Sequence, residues 1–261
     1  MSLNAIDRKK VILELLDMNG KVTSKELVSK LDVSSETVRR YLDELESENK
    51  LEKVYGGAVK IEYKIIEPAH IERKSTNIEA KIKIAEIAAS FVNDNDSIVI
   101  DEGTTTLHML KHIINRKNLT IVTSSCTALS QFIEYKNKDM FDGEIIFIGG
   151  KINSKHQRAA DSMSVEMMKN IFVNKAFIAA EGVATNFGVS SLDKDKALLS
   201  REYIINSKES ILLCDHSKID VTTTYKISDL KDIDTIISDI EAPIEWEEKL
   251  ENVNTKWIKC D

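Results

Sequence analysis

Val33-Ser34-Ser35-Glu36-Thr37-Val38-Arg39-Arg40-Tyr41-Leu42-Asp43-Glu44-Leu45 combines a helix start, an apolar stripe and a cationic face. The Ser34 hydroxyl is placed to accept a hydrogen bond from the first free helical N–H groups. Glu36 puts negative charge in the first turn, where the helix dipole favours it. Val38, Leu42 and Leu45 follow at i, i+4 and i+7, so one face is buried while Glu36, Arg39, Arg40 and Asp43 fall off it. An arginine fork matches both a phosphate and the O6/N7 edge of guanine. A helix presenting Arg39 and Arg40 near its beginning therefore suits the major groove of DNA, with Ser34, Ser35, Glu36 and Thr37 as further candidate contacts. A solvated amphipathic helix with ordinary surface charges is the plain alternative.

The flanking sequence supplies the frame for such a helix. Asp7 to Met18 reads as a first helix burying Val11, Ile12, Leu15 and Leu16, closed by Asn19-Gly20. After a short extended piece at Lys21-Val22, Thr23 and Glu26 form a T-x-x-E capping box ahead of Leu27, Val28 and Leu31, a helix of two turns. Leu31-Asp32-Val33 is the tight turn into the third helix, and three helices in this order place the third in the groove. Lys50 to Lys60 then reads as two short strands around Gly56-Gly57, a wing from which Lys53, Tyr55 and Lys60 can reach phosphates. A hairpin that merely covers the third helix shows the same pattern.

The chain of 261 residues suits one large or two modest domains, and 42% hydrophobic content supports packed cores. A net charge of −7 argues at first against a nucleic-acid partner. Residues 1–60, however, hold 11 basic and 11 acidic side chains, so the whole excess belongs to the rest of the chain. Met1 to Lys10 holds no uninterrupted apolar run, so no secretory leader is expected, and no window approaches the ~18 uncharged apolar residues of a membrane span. Cys126, Cys214 and Cys260 are widely spaced and lack a C-x-x-C, which fits reduced thiols. A cytoplasmic protein without membrane contact is expected.

Residues 61–77, with Pro68 and mixed charge, read as a linker between a first domain at 1–60 and a second at 78–261. From Ile78, the spacing of Ile82, Ala85, Ile87, Ala88 and Phe91 marks a helix. Strands are then expected near 97–101, 120–123, 144–148, 175–180, 210–214 and 235–238, with helices near 105–114, 126–134, 162–170, 194–206 and 244–252. Alternation at this spacing makes an α/β domain with a mostly parallel sheet and helices on both faces.

Ser97 to Asp101 runs into Glu102-Gly103-Thr104-Thr105-Thr106 and then a helix. A strand, a glycine and hydroxyl residues at a helix start make an anion cradle, for which a phosphate is the natural occupant; a hydroxyl-capped turn without a ligand has the same sequence. The absence of G-x-G-x-x-G and of a P-loop argues against nucleotides. Parallel sheets gather ligands at the carboxyl ends of their strands. That rule collects Asp101, Gly103, Thr104, Thr105 and Thr106 with Thr123, Ser124 and Ser125, Gly149 and Gly150, Glu181 and Gly182, and Asp215 and Lys218 as candidate effector-binding residues. Hydroxyls and carboxylates suit sugar hydroxyls, while Lys218, with Lys151 or Arg158, balances phosphate charge. His108 and His112 lack a third ligand with sensible spacing, so no metal is expected. Trp246 and Trp257 read as packing residues.

The order of these motifs resembles the DeoR family of bacterial sugar-metabolism repressors. The resemblance rests on V-S-x-x-T-V-R-R-x-L at 33–42, the G-G-A of the wing, Arg73 with Lys81-x-x-Ile84-Ala85, D-E-G-T-T-T at 101–106, T-S-S at 123–125, I-G-G at 148–150 and D-H-S-K at 215–218. Tyr41 stands where the family pattern usually has Asp, and T-S-S replaces the more usual T-N-S. The second domain also resembles the ribose-5-phosphate isomerase fold family. The resemblance implies an N-terminal winged helix-turn-helix and a C-terminal α/β sensor, operator DNA and a phosphorylated sugar as partners, a homo-oligomer (dimer or tetramer), and neither cofactor nor catalysis. Two other readings share the sequence features: a phosphosugar isomerase with Glu181 as base and Lys218 as electrophile, and a DNA-binding protein whose second domain serves assembly.

Overall fold

The computed structural model describes residues 5–19, 21–48, 50–54, 56–59 and 67–260. The chain divides into two compact units, Met1–Lys64 and Ile65–Asp261.

The first unit comprises α1 (Ala5–Asn19), β1 (Lys21–Thr23), α2 (Ser24–Leu31), α3 (Ser35–Ser47), β2 (Glu52–Val54) and β3 (Gly57–Val59). The expected capping box is present: Thr23 Oγ1 accepts the Glu26 N–H at 3.2 Å, and Glu26 Oε2 accepts the Thr23 N–H at 2.9 Å. Asp32 takes the left-handed conformation, φ 49°, and turns the chain into α3. Ser34 Oγ accepts the Thr37 N–H at 3.2 Å, as its position predicts. Ile12, Leu16, Leu27, Leu31, Val38, Leu42 and Leu45 close the core, with Leu51 and Ala58 from the wing. Tyr41 joins them at 3% exposure, which widens the apolar face of α3 beyond the stripe read from sequence. The wing has three antiparallel strands in the order β1-β3-β2, because the extended piece at Lys21 pairs with Gly57–Val59. Tyr55 and Lys60 lie outside the described residues.

The second unit begins with α4 (His70–Ser75) and α5 (Ile78–Ser90). It continues through β4 (Ser97–Ile100), α6 (Thr104–Leu107), α7 (Leu110–Ile113), β5 (Thr120–Thr123), α8 (Cys126–Asn137) and β6 (Glu144–Phe147). The hairpin β7 (Ile152–Asn153) and β8 (Arg158–Ala159) precedes α9 (Ser162–Met168), β9 (Val173–Ala179), β10 (Gly182–Ala184), β11 (Gly188–Ser191), α10 (Lys194–Ile205) and β12 (Ser207–Leu213). β13 (Tyr225–Ser228), β14 (Thr235–Ser238), α11 (Glu247–Val253) and β15 (Lys256–Lys259) complete it.

Seven strands form one parallel sheet in the order β15-β14-β12-β9-β4-β5-β6. Alternation along the strands fills a core on each face. Ile98, Ile100, Phe177 and Leu213 face α5 to α8, whereas Val99, Ala176, Ile178 and Leu212 face α9 to α11. The chain leaves β4 in one direction, through β5 and β6, and returns to the other side of β4 with β9. The topological switch therefore lies between β4 and β9, where open α/β sheets hold ligands at the carboxyl ends of their strands.

Three features depart from the sequence reading. Periodicity does not reveal the β7-β8 hairpin or the small antiparallel sheet β10-β11-β13, because strands of two to four residues carry too few alternations. The helix expected at 105–114 is broken into α6 and α7. The stretch expected as linker through Asn77 holds α4, and Glu67 and His70 are buried, so the second unit starts earlier than its first long periodic helix.

Leu42, 2% exposed, packs α3 onto the rest of the first unit. Leu42→Ala is expected to destabilise that unit by ~2–5 kcal/mol, read as a lower urea midpoint in far-UV circular dichroism of the full chain.

Candidate functional site

On the first unit, burial of Val38, Tyr41, Leu42 and Leu45 leaves Ser35, Glu36, Arg39, Arg40, Asp43 and Glu46 exposed along α3. Arg39 lines a shallow groove with Ser35, Glu36, Lys53, Gly56 and Gly57, between the start of α3 and the wing. Among the described residues Arg39 has no ion-pair partner, whereas Arg40 Nε lies 3.8 Å from Glu44 and its guanidinium 5.5 Å from the Tyr41 ring. Thr37 is half-buried and its hydroxyl meets Ser34 Oγ at 2.9 Å. Lys53 is engaged: its ammonium pairs with Asp43, and its N–H donates to Glu46 Oε1 at 2.9 Å. Lys53 thus anchors the wing to α3 in this state of the molecule.

On the second unit, a crevice of about 130 Å³ opens at the switch point. Gly103, Thr104 and Thr105 after β4, Ala179 to Glu181 after β9, and Leu213 to Asp215 with Ser217 and Lys218 after β12 line it. Six residues picked from sequence meet there: Gly103, Thr104, Thr105, Glu181, Asp215 and Lys218. Gly103 is required by a close approach, since a Cβ there would lie 2.4 Å from that of Ala179.

The other candidates do not line the crevice. Asp101 accepts the Glu102 N–H at 2.7 Å, the Ala179 N–H at 3.2 Å and the Ser200 hydroxyl at 2.9 Å. Burial pushes its carboxyl up against the pull of Lys196 and the Ser200 hydrogen bond. Thr106 Oγ1 donates to the Asp101 and Gly103 carbonyls, Thr123 Oγ1 to the Ile100 carbonyl, and Ser125 Oγ caps α8 at Ala128. Ser124 is buried, and its carbonyl accepts the Ala159 N–H. The Gly149 carbonyl accepts the Ser164 hydroxyl at 2.6 Å, and Gly150 sits at φ +139°, where only glycine is at ease. Gly182 packs against the Val221 carbonyl.

Sequence reasoning missed the rest of the lining, Pro68, Glu72, Arg73, Thr76 and Lys81. Four of them belong to the stretch read as linker, and Lys81 to a helix read for its apolar face alone. The pairing of Arg73 with the Lys81 motif was the signal available. Lys81, 5% exposed, donates to the Arg73 and Thr76 carbonyls at 2.6 Å each. Burial lowers its pKa, helped by the charges of Lys218 and Arg73 and opposed by Asp215. Asp215 Oδ1 accepts from Asn77 Nδ2 at 2.9 Å and from the Ser217 N–H at 3.0 Å. Burial would raise the Asp215 carboxyl, but those bonds, the Ser217 hydroxyl and the Lys218 charge hold it low.

Beneath the crevice lies a buried charge network. Arg158 is bidentate to Glu67 at 2.8 Å and 2.8 Å and reaches Glu102 at 3.0 Å and Asp193 at 3.1 Å. Arg73 Nη2 meets Glu102 at 2.8 Å and Glu67 at 3.2 Å, while its Nη1 lies 4.0 Å from Glu181. Lys196 Nζ donates to the Ala179 carbonyl at 2.7 Å and lies 3.5 Å from Glu181 Oε1. Burial alone would raise the Glu102 carboxyl; the His70 hydrogen bond and the charges of Arg73, Arg158 and Lys196 outweigh it and depress it strongly.

A winged helix-turn-helix joined to a parallel α/β unit with a polar switch-point crevice defines a DNA-binding regulator with a sensor domain. Two family models match: a DeoR-like helix-turn-helix domain over residues 8–64 and a DeoR C terminal sensor domain over residues 76–240. The chain belongs to the DeoR family of transcriptional regulators. It is 34% identical to the HTH-type transcriptional regulator YulB of Bacillus subtilis over 89% of this chain and 88% of that one. It is 32% identical to the lactose phosphotransferase system repressor of Lactococcus lactis over 91% and 92%. Among solved structures, ribose 5-phosphate isomerase A of Methanocaldococcus jannaschii matches at a TM-score of 0.40 and 17% identity over 55% of each chain. Among the described residues no helix is long and apolar enough to cross a membrane.

Glu102→Gln leaves Arg73 and Arg158 short of a buried partner and is expected to cost ~3–5 kcal/mol at pH 7. Because the native carboxylate titrates below its unfolded value of about 4.3, its contribution is complete above that value and fades as pH falls. Urea unfolding from pH 7 down to 3 should therefore show the gap between wild type and variant closing below about pH 4; a constant gap would exclude the carboxylate charge as its cause.

Proposed function

We propose that the protein represses a sugar-utilisation operon and that a phosphorylated sugar, bound in the crevice of the second unit, controls its hold on operator DNA. The observation that carries this reading is the convergence of Lys81, Lys218, Thr104 and Thr105 on one switch-point crevice in a chain whose other unit exposes Arg39 and Arg40 on α3. Ammonium groups and hydroxyls together suit a phosphoryl group, and an exposed arginine fork suits base edges and phosphates. The name of the lactose phosphotransferase system repressor supports a sugar-linked role.

The crevice is read as a receptor. Relatives named as transcriptional regulators support a role without turnover. Ligand control requires that the sugar prefer one of two states of the protein. Pro68, Glu72, Arg73 and Thr76 suit that coupling, since they line the crevice and belong to the stretch that leads in sequence to the first unit. The protein acts in the cytoplasm as a homo-oligomer, whose paired α3 helices read half-sites roughly 34 Å apart or a multiple of it.

Arg39→Ala and Arg40→Ala should each weaken operator binding, by ~1–3 kcal/mol where the side chain reads a base, measured by fluorescence anisotropy with labelled operator. Unchanged affinity in both variants would remove α3 from the contact. Thr105→Asp sets a permanent negative charge in the cradle. It should abolish the effector's influence on operator binding while the affinity without effector stays at the wild-type value; a normal effector response would refute the cradle.

A further inference from the structure

Away from the crevice, the second unit leaves large apolar side chains exposed around α9 and the end of α10. α9 turns Val165 and Met168 onto the sheet. Met163 and Met167, at i and i+4, therefore share its outer face. Phe172 stands just ahead of β9, where the Val173 N–H donates to the Asn206 carbonyl at 3.0 Å and so brings Phe172 next to Ile205, the last residue of α10. Met163, Met167, Phe172 and Ile205 are 66, 39, 67 and 62% exposed. At about 200 Å² for a large side chain they present roughly 450 Å² to solvent, the size of patch that marks an interaction surface.

A groove adjoins this patch. α10 lies between α9 on one side and β13 on the other. Between α10 and β13, Ile204, Ile205 and Ile227 line a groove of about 510 Å³ together with Arg201, Lys226 and Asp229. Arg201 is fixed along it, since its Nε donates to the Ile227 carbonyl at 2.9 Å and its Nη2 to the Lys226 carbonyl at 2.6 Å. A guanidinium held flat in this way is a stacking surface for an aromatic ring. Ile205 belongs to both features: Phe172 projects on one side of it and the groove opens on the other.

We propose that this face joins two copies of the chain about a two-fold axis beside Ile205, with Phe172 of each copy seated in the groove of the other. This rests on the homo-oligomer reading above and says which surface makes the contact. A two-fold interface must be self-complementary, each residue meeting on the partner what the partner meets on it. A projecting ring and a groove on either side of one residue satisfy that condition. The area agrees: a stable dimer buries ~800 Å² on each partner, a little over half of it apolar. Phe, Met and Arg are the residues enriched at the centre of such contacts, and an aromatic anchor in a desolvated groove carries most of the binding. The rim carries both signs, Glu166 beside Lys169 and Asp229 beside Lys226, so a second copy of the same face can set each charge against its opposite.

The test is analytical ultracentrifugation of the full-length protein over a range of concentrations, without DNA. Phe172→Glu and Ile205→Glu should each lower the assembly by one step, dimer to monomer or tetramer to dimer, with the dissociation constant raised at least about thirtyfold. Their far-UV circular dichroism and urea midpoint should stay at the wild-type values, because both positions are exposed in the single chain. Ile133→Glu, on α8 across the sheet and 46% exposed, should leave the assembly unchanged. A short bismaleimide should join two copies through Ile205→Cys, which meets its own counterpart at the axis, and should not join them through Ile133→Cys above the wild-type background. Unchanged association in both glutamate variants, or no cross-link through Ile205→Cys, would overturn this face while the homo-oligomer reading stands. A wild type that stays monomeric at every concentration would overturn both. The cross-link decides the matter even where a glutamate variant folds poorly.

Discussion

A guanidinium group does not lose its proton under any condition a folded protein meets, so Arg158, at 1% exposure, must be enclosed by carboxylates. The partners that enclose it come from three places: Glu67 ahead of α4, Glu102 in the turn after β4, and Asp193 at the start of α10. Burying this one charge therefore ties the segment that enters the sensor unit to the centre of the sheet. Arg73 repeats the device by joining Glu67 and Glu102 from the other side. The walls of the crevice stand on these pairs, and Glu181 joins them through Arg73 and Lys196.

The turn after β4 shows how neighbouring residues of one motif divide the work. Asp101 and Thr106 spend their polar atoms inside the turn, where they hold the chain to β9 and α10. Thr104 and Thr105 between them face the open space. A backbone that must be held rigid and a surface that must stay available are thus built from adjacent positions. In the first unit Tyr41 plays the corresponding structural part. Its ring belongs to the core while Arg40 leans over it, and the outward face of α3 is left to Arg39 and its neighbours.

Much of this was legible in the order of residues. Helix starts at Thr23 and Ser34, the turn at Asp32 and the apolar faces of α1 to α3 follow from interactions that span a few positions. Six of the seven strands of the parallel sheet follow from runs of apolar residues whose spacing survives without any partner. The cradle at Thr104-Thr105, Glu181, Asp215 and Lys218 follows from the rule that ligands collect at strand ends, applied to strands the pattern reveals.

What the sequence determined by itself is the three helices of the first unit, six strands of the parallel sheet, the cationic face of α3 and the ring of strand ends, because each depends on local period and on capping. What only the tertiary structure decided is which of those strand ends open on the crevice and which are sealed behind it. It also decided that Pro68, Glu72, Arg73 and Thr76 line the crevice, and that Arg73, Lys81 and Glu181 bring charge to it. Glu67 and Arg158 bond across 91 positions of chain, and Asp101 and Ser200 across 99. No periodicity relates such residues; the contact exists only once the parallel sheet has brought β4 and β9 together and left the charges on α4, β8 and α10 no solvent to turn to.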